Sequence, residues 1–348
     1  MTTDASTAAA VERAIEQRRE RVNEAIPEEL PIVHPERLYD ASRYLLDAGG
    51  KRLRPTMLLL AAEALADVEP MSEDYRSFPA LDGSRVDLMT AAVGIETIQT
   101  FTLIHDDIMD DDPLRRGVPS VHKEYGLATG ILAGDTLYSK AFEQMLESGA
   151  KPDHSVRALS ELATTCTKIC EGQSLDIDFE TREEVTPEEY LEMVELKTAV
   201  LYASSAAIPA ILVGADDEVD ALYEYGRDVG RAFQIQDDLL DLTTPSEKLG
   251  KQRGSDLVEN KQTIITLHAR QQGVDIESLV DADSEAEVTE AEIDEAVAEL
   301  EAAGSIEYAR ETAHEFIASG KDHLQELPDN EARETLAGIA DYLIEREY

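Results

Sequence analysis

Apolar residues recur at three- and four-residue spacing along most of this chain, the period of an α-helix with a buried face. The pattern predicts helices over RPTMLLLAAEALA, LMTAAVGIETIQTFTLIH, ILAGDTLYSKAFEQML, VRALSELATTCTKICEG, VLYASSAAIPAILVGA and LYEYGRDVGRAFQIQDDLLDL. Several of these are apolar on most faces, as expected of helices inside a large bundle. Strand-like alternation is absent. Turn signals rich in Gly, Pro, Ser and Asp separate the segments: DAGGKRLRP, PMSEDYRSFPALDGS, ESGAKPDH and TPSEKLGKQRGSD. The expectation is one all-α domain over residues 1–348, a bundle of antiparallel helices. Residues 1–10 are expected to be flexible, and 67–87 and 273–292 to form exposed loops or linkers.

Composition narrows the function classes. The chain has 348 residues, 74 of them acidic against 31 basic, for a formal net charge of -43. Such a charge disfavours nucleic acid, where phosphate must be neutralised by Lys and Arg. It equally disfavours an anionic membrane surface. With 43% hydrophobic residues the chain can still build a core. Excess acid with scarce lysine resembles proteins of salt-loving organisms, where screening over about 3 Å at 1 M salt suppresses self-repulsion. Cys166 and Cys170 sit at helical spacing and read as a packing pair, since two thiols alone make a poor zinc site. The N-terminal stretch reads as a polar cap leading into an amphipathic helix rather than a signal peptide. No apolar run approaches the roughly 18 residues of a membrane span. A soluble, cytoplasmic protein is expected.

Two aspartate groups stand out. LIHDDIMDDDPLRRG places Asp106, Asp107 and Asp110 behind an apolar helix, and FQIQDDLLD repeats that spacing with Asp237, Asp238 and Asp241. Positions i and i+4 share a helix face, so each group can aim carboxylates at one point. Acids near a helix C-terminus are electrostatically unfavourable and call for a compensating cation. All-carboxylate ligation suits a hard ion such as Mg²⁺ shared with substrate phosphates. Solvated surface charge is the competing reading for either cluster alone. A calcium loop fits badly, because DDIMDDDPLRRG lacks the glycine at its sixth position.

Scarce cations gather beside glycine-rich turns and the aspartates. GGKRLRP carries Lys51, Arg52 and Arg54; RRG carries Arg115 and Arg116; Lys197 precedes Thr198; and Lys248, Lys251 and Lys261 follow the second aspartate group. Such forks and point charges grip phosphate oxygens. Metal and cations together could hold a diphosphate as a leaving group, with an apolar pocket behind for a hydrocarbon tail. No nucleophile constellation of Ser, Cys or His is evident.

These motifs resemble the trans-isoprenyl diphosphate synthases. The resemblance runs from about Tyr39 to Lys261 through GGKRLRP, DDIMD with RRG, EGQSLD, KTA, FQIQDDLLD and the trailing GSD…NK, in order. It implies an all-α fold around a deep central cavity, a homodimer, and three Mg²⁺ ions. By resemblance, Asp106, Asp107, Asp110, Asp237 and Asp241 bind metal, with Asp238 behind them. Arg115, Lys197 and Lys251 hold the allylic diphosphate, with Gln173 and Asp176 near the first metal site. Lys51, Arg54, Gln99 and Arg116 hold isopentenyl diphosphate. Thr198 and Gln234 sit near the carbocation, and Lys261 is peripheral. Head-to-tail condensation follows: the allylic diphosphate departs, the double bond of isopentenyl diphosphate attacks, and diphosphate removes the proton.

The same resemblance locates chain-length control just before the first aspartates. Phe101 lies about 7.5 Å and Ile98 about 12 Å down the helix from Asp106, with Thr102 between them and the motif. One aromatic with a small neighbour resembles the archaeal geranylgeranyl (C20) type; farnesyl (C15) and geranylfarnesyl (C25) products are the alternatives. A terpene cyclase would depart from the second aspartate motif and from GGKRLRP. A phosphohydrolase built on His105-Asp106 would want further paired histidines, so His105 reads as a packing residue. A non-catalytic subunit would be expected to lack one aspartate motif.

Overall fold

The protein is described by a computed structural model that covers residues 5–182, 184–245, 253–259, 261–280 and 289–345. It is 77% helical with 2% strand. Contacts divide the chain into two compact units. The first comprises Met1–Cys166, Ala203–Tyr223 and His323–Ile339; the second comprises Thr167–Tyr202, Glu224–Asp322 and Ala340–Tyr348.

In the first unit, α1 (Ala5–Glu29), α3 (Leu53–Ala66), α4 (Leu88–Met109) and α6 (Leu127–Glu147) build the core. Helix α1 begins within the residues expected to be flexible, because its alanine-rich start favours helix. Its stripe of Val11, Ile15, Val22 and Ile26 is buried. From Leu88 to Ile98 every residue of α4 is buried, which accounts for a helix apolar on all faces. Asp87 caps it, accepting a 2.8 Å hydrogen bond from the Thr90 amide. Helix α2 (Glu36–Asp47) leads into the GGKRLRP turn, and α5 (Val121–Tyr125) precedes α6.

The segment 67–87 departs from the expected exposed loop. It contains a 3₁₀ turn and a short antiparallel hairpin, β1 (Phe78–Pro79) with β2 (Arg85–Val86). Tyr75, Phe78, Ala80 and Val86 are buried. Strands of two residues are too short for periodicity to reveal them. Beneath this segment, Arg18 of α1 donates to Glu63 of α3, and both side chains are 1% exposed. Glu63 also accepts from the Tyr75 hydroxyl at 2.5 Å and the Met71 amide at 2.8 Å.

The second unit contains α8 (Pro187–Val194), and parts of α7 (Pro152–Phe179), α9 (Val200–Val213) and α10 (Val219–Thr243). Later elements include α11 (Ser255–Val258), α12 (Ile264–Gln271) and α13 (Glu290–Ala302). Helix α14 (Ser305–His323) follows, and α15 (Glu331–Glu345) has most of its residues in the first unit. Residues 281–288 of the acidic stretch lie outside the described residues. Pro187–Val213 is long and apolar enough to cross a membrane, which corrects the expectation that no such stretch exists, yet 83% of its apolar window is buried. Of the cysteine pair, Cys166 is buried but Cys170 is exposed. Four residues on, a helix has turned about 40° past its starting face, enough to leave a narrow core stripe.

Replacing Arg18 with Ala would strand the Glu63 carboxylate in the core. The expected cost is about 3–5 kcal/mol in reversible urea unfolding; a change below about 1 kcal/mol would mean that water reaches Glu63 in the variant.

Candidate active site

Both aspartate groups lie at helix C-termini. Asp106 and Asp107 fall in the last turn of α4 and Asp110 is its C-cap, with φ -86° and ψ -4°. The five aspartates of this stretch are not equivalent. Asp111 pairs with Lys123 at 2.5 Å and Asp112 with Arg115 at 3.0 Å, so both are matched by local cations. Asp107 is fully buried, and its Oδ1 accepts from Arg115 Nε at 2.6 Å. Burial pushes its carboxyl above the usual carboxylate range, against the pull of the Arg115 guanidinium. Its Oδ2 is buried with no hydrogen-bond partner among the described residues.

Arg115 and Arg116 occupy a hairpin, β3 (Leu114–Arg115) with β4 (Val118–Pro119). The turn residues Arg116 and Gly117 have φ of 55° and 77°. Positive φ at both central positions is the signature of a type I′ turn, and explains the glycine of RRG. Arg115 ends the strand in extended conformation and Arg116 is left-handed, so the two arginines separate. Arg115 goes to Asp107. Arg116 donates to the carbonyls of Leu45, at 3.0 Å, and Gly49, and lies 3.6 Å from Glu96.

The GGKRLRP turn is shaped by Gly49 and Gly50, with φ of 102° and 147°. Arg52 is 2% exposed and left-handed, with φ 51°. It donates to Glu96 at 2.6 Å, Leu46 O at 2.6 Å and Asn23 at 2.9 Å. Lys51 is exposed and Arg54 half-buried. Gln99 is half-buried on α4, and Ile98 is fully buried. Phe101 is half-buried and meets His105 edge-on at 4.9 Å and Tyr138 of α6 at 5.2 Å. Tyr138 continues to Phe142 at 5.0 Å. His105 therefore packs, as expected. Thr102 is half-buried and bonds back to Gln99 O at 2.9 Å.

In the second unit, Lys197 and Thr198 sit on a π-helical turn, Glu195–Ala199, inserted between α8 and α9. Such turns are rare and concentrate at functional sites. Two glycines make room for it. A Cβ on Gly172 of EGQSLD would lie 2.7 Å from the Leu196 carbonyl carbon, and one on Gly230 would lie 2.5 Å from Ala199 Cα. Lys197 donates to Asp176 at 2.5 Å. Thr198 donates to Gln234 Oε1 at 3.0 Å, and Gln234 Nε2 donates to Asp238 Oδ1 at 3.0 Å. Asp238 is buried and also accepts from the Tyr190 hydroxyl. Burial and neighbouring acids push its carboxyl well up. Gln173 is buried.

Asp237 is half-buried. Asp241 is 2% exposed, and its two oxygens accept from Ser255 Oγ at 2.8 Å and the Asp256 amide at 3.1 Å. Through these bonds Asp241 anchors the GSD turn. Lys261 is exposed and pairs with Glu259 at 2.7 Å, a peripheral place. Lys248 and Lys251 lie outside the described residues. Sequence reasoning missed Glu96, Tyr190, Gly230 and the π-turn. Only the glycine of EGQSLD and the extra arginine of GGKRLRP carried a signal.

Comparison with known proteins decides the family. A model described as polyprenyl synthetase matches residues 35–300. The chain belongs to the polyprenyl synthetase family. As a member it is a trans-prenyltransferase of isoprenoid biosynthesis. It is 70% identical to a geranylfarnesyl diphosphate synthase of Natronomonas pharaonis, over 97% of this chain and 98% of that one. It is 50% identical to a geranylgeranyl diphosphate synthase of Methanosarcina mazei, over 96% of this chain and 97% of the relative. The geranylgeranyl pyrophosphate synthetase structure from Geoglobus acetivorans superposes with a TM-score of 0.84 at 45% identity, covering 95% of this chain and 99% of that one. The fold is thus the all-α fold of these synthases. The polyprenyl synthetase family generally uses Mg²⁺ and acts on isopentenyl and allylic diphosphates.

Substituting Gly172 by Ala should push the π-turn from its place. A displacement near 1 Å costs on the order of 100-fold in rate, so turnover should fall by about that factor with the fold intact by circular dichroism. Turnover within about twofold of the parent would show that Lys197 and Thr198 tolerate the displacement.

Proposed function

We infer that the protein condenses isopentenyl diphosphate head-to-tail with allylic diphosphates to give geranylgeranyl diphosphate (C20). The observation that carries the chain length is Phe101. It sits five residues before Asp106, packed edge-on to Tyr138 at 5.2 Å, in a run of rings that spans α4 and α6. An aromatic wall one to two turns behind the aspartates would stop a growing hydrocarbon. Support for a C25 product comes from the relative of Natronomonas pharaonis, named a geranylfarnesyl diphosphate synthase.

Among the described residues no three Asp, Glu, His or Cys side chains form a ready-made metal cage. Mg²⁺ takes a few carboxylates and lets substrate phosphates complete its shell. The buried, unpartnered Oδ2 of Asp107 fits the same role. Asp106, Asp107, Asp110, Asp237 and Asp241 would hold three Mg²⁺ ions. When bound, these ions would neutralise charge on the departing diphosphate. Arg115, Lys197, Lys251 and Gln173 would orient the allylic diphosphate, and Lys51, Arg54, Gln99 and Arg116 the isopentenyl diphosphate. The Thr198–Gln234–Asp238 hydrogen-bond chain would present fixed oxygens to the carbocation. Release of Lys197 from Asp176 would accompany phosphate binding.

A homodimer is supported by α6, where Leu127, Ile131 and Tyr138 are exposed at 57%, 42% and 38% along one face. The acid-rich composition supports a cytoplasmic setting at high salt.

Incubation with Mg²⁺, labelled isopentenyl diphosphate and each allylic starter, followed by chromatography of the alcohols, tests the reading. A dominant C20 alcohol is expected. A C25 alcohol would move the stop deeper than Phe101, and no elongation by folded protein would overturn the activity. Phe101→Ala should lengthen the product with turnover largely kept. Asp107→Ala should lower turnover by about 100-fold or more, the scale of losing electrostatic stabilisation of a leaving group; unchanged turnover would remove Asp107 from the site.

A further inference from the structure

We propose that Glu96 is the positioning residue of the isopentenyl diphosphate site, a buried carboxylate that holds the GGKRLRP turn and the RRG hairpin in register. The inference rests on the reading that Lys51, Arg54, Gln99 and Arg116 grip that substrate.

Glu96 is 3% exposed on α4, three residues before Gln99 and so on a neighbouring face of the same helix. Its Oε1 accepts from Arg52 at 2.6 Å and faces Arg116 at 3.6 Å. Arg52 is held on its other nitrogens by Asn23 of α1 and by the Leu46 carbonyl at the end of α2. The left-handed Arg52 lies between Lys51 and Arg54, so fixing its side chain fixes the backbone that carries both. A left-handed conformation is uncommon for a residue other than glycine and persists where surrounding contacts determine it.

Arg116 reaches the same turn from the hairpin. It donates to the Leu45 and Gly49 carbonyls, and its Cζ would lie 3.0 Å from a Cβ on Gly50. Gly50 is therefore required twice, for its φ of +147° and for the guanidinium above it. Two guanidiniums converge on one carboxylate. Neutralising Glu96 would leave like charges close together, with Arg52 buried and unmatched. The low-energy response is to separate them by opening the turn or swinging out the hairpin. Either motion displaces groups assigned to isopentenyl diphosphate.

Glu96 touches no substrate in this assignment, so its signature is selective. In Glu96→Gln the KM for isopentenyl diphosphate should rise by about tenfold or more, with the KM for the allylic starter within about twofold. Glu96→Asp keeps the charge and should recover part of the loss; it also serves as the test if the Gln variant does not fold. A purely structural role would instead reduce the amount of active enzyme with both KM values unchanged, and that result would overturn the proposal. Arg54→Ala is the control on the underlying assignment. If Arg54→Ala raises the isopentenyl KM and neither Glu96 variant does, the positioning role falls alone. If Arg54→Ala leaves that KM unchanged, the assignment of the substrate site falls first.

Discussion

A carboxylate inside a protein core is costly unless a cation and hydrogen bonds meet it, and α4 buries two of them about three turns apart. Glu96 and Asp107 are both nearly inaccessible, at 3% and 0% exposure. Their countercharges come from outside the helix: Arg52 from the glycine turn before α3, Arg116 and Arg115 from the hairpin after α4. Segments distant in sequence are thereby tied to one rod. The apolar faces of α4 secure the rod against α1, α3 and α6, and the two acids specify where the loops attach. Hydrophobic burial supplies stability without direction; the ion pairs supply the direction.

The second unit solves a similar problem with space in place of charge. A π-turn widens the helix by one residue and redirects the side chains that follow. Gly172 and Gly230 leave the room it occupies, and the Thr198–Gln234–Asp238 chain with Tyr190 fixes its polar groups. Asp241 closes the other end of the motif by anchoring Ser255 and Asp256. The repeated aspartate spacing thus hides a division of labour: within the second set Asp238 and Asp241 are engaged by the protein itself.

The all-α class and the helical segments were legible because long apolar runs at helical period have few other outcomes. The motif aspartates and cations were legible because lysine is scarce here and its placement stands out. What periodicity could not show were features that depend on a partner from elsewhere in the chain. Glu96 reads as one acid in an acidic protein until Arg52 and Arg116 are seen around it. Arg18 looks like an exposed helix residue until Glu63 is found opposite. The hairpins were invisible because two-residue strands have no period, and the π-turn because its cause lies in glycines on two other helices.

The hairpin after α4 also limits how this chain can diverge. Its two arginines reach different carboxylates because Arg115 ends the strand while Arg116 occupies the left-handed turn. Removing or adding one residue between Asp112 and Gly117 would shift the register and invert the hairpin faces, taking the arginines off Asp107 and Glu96. Changes in length there are tolerable only in pairs, or with the turn rebuilt as a whole. Substitutions can accumulate around the segment, but insertions and deletions within it should be rare among descendants that keep the activity.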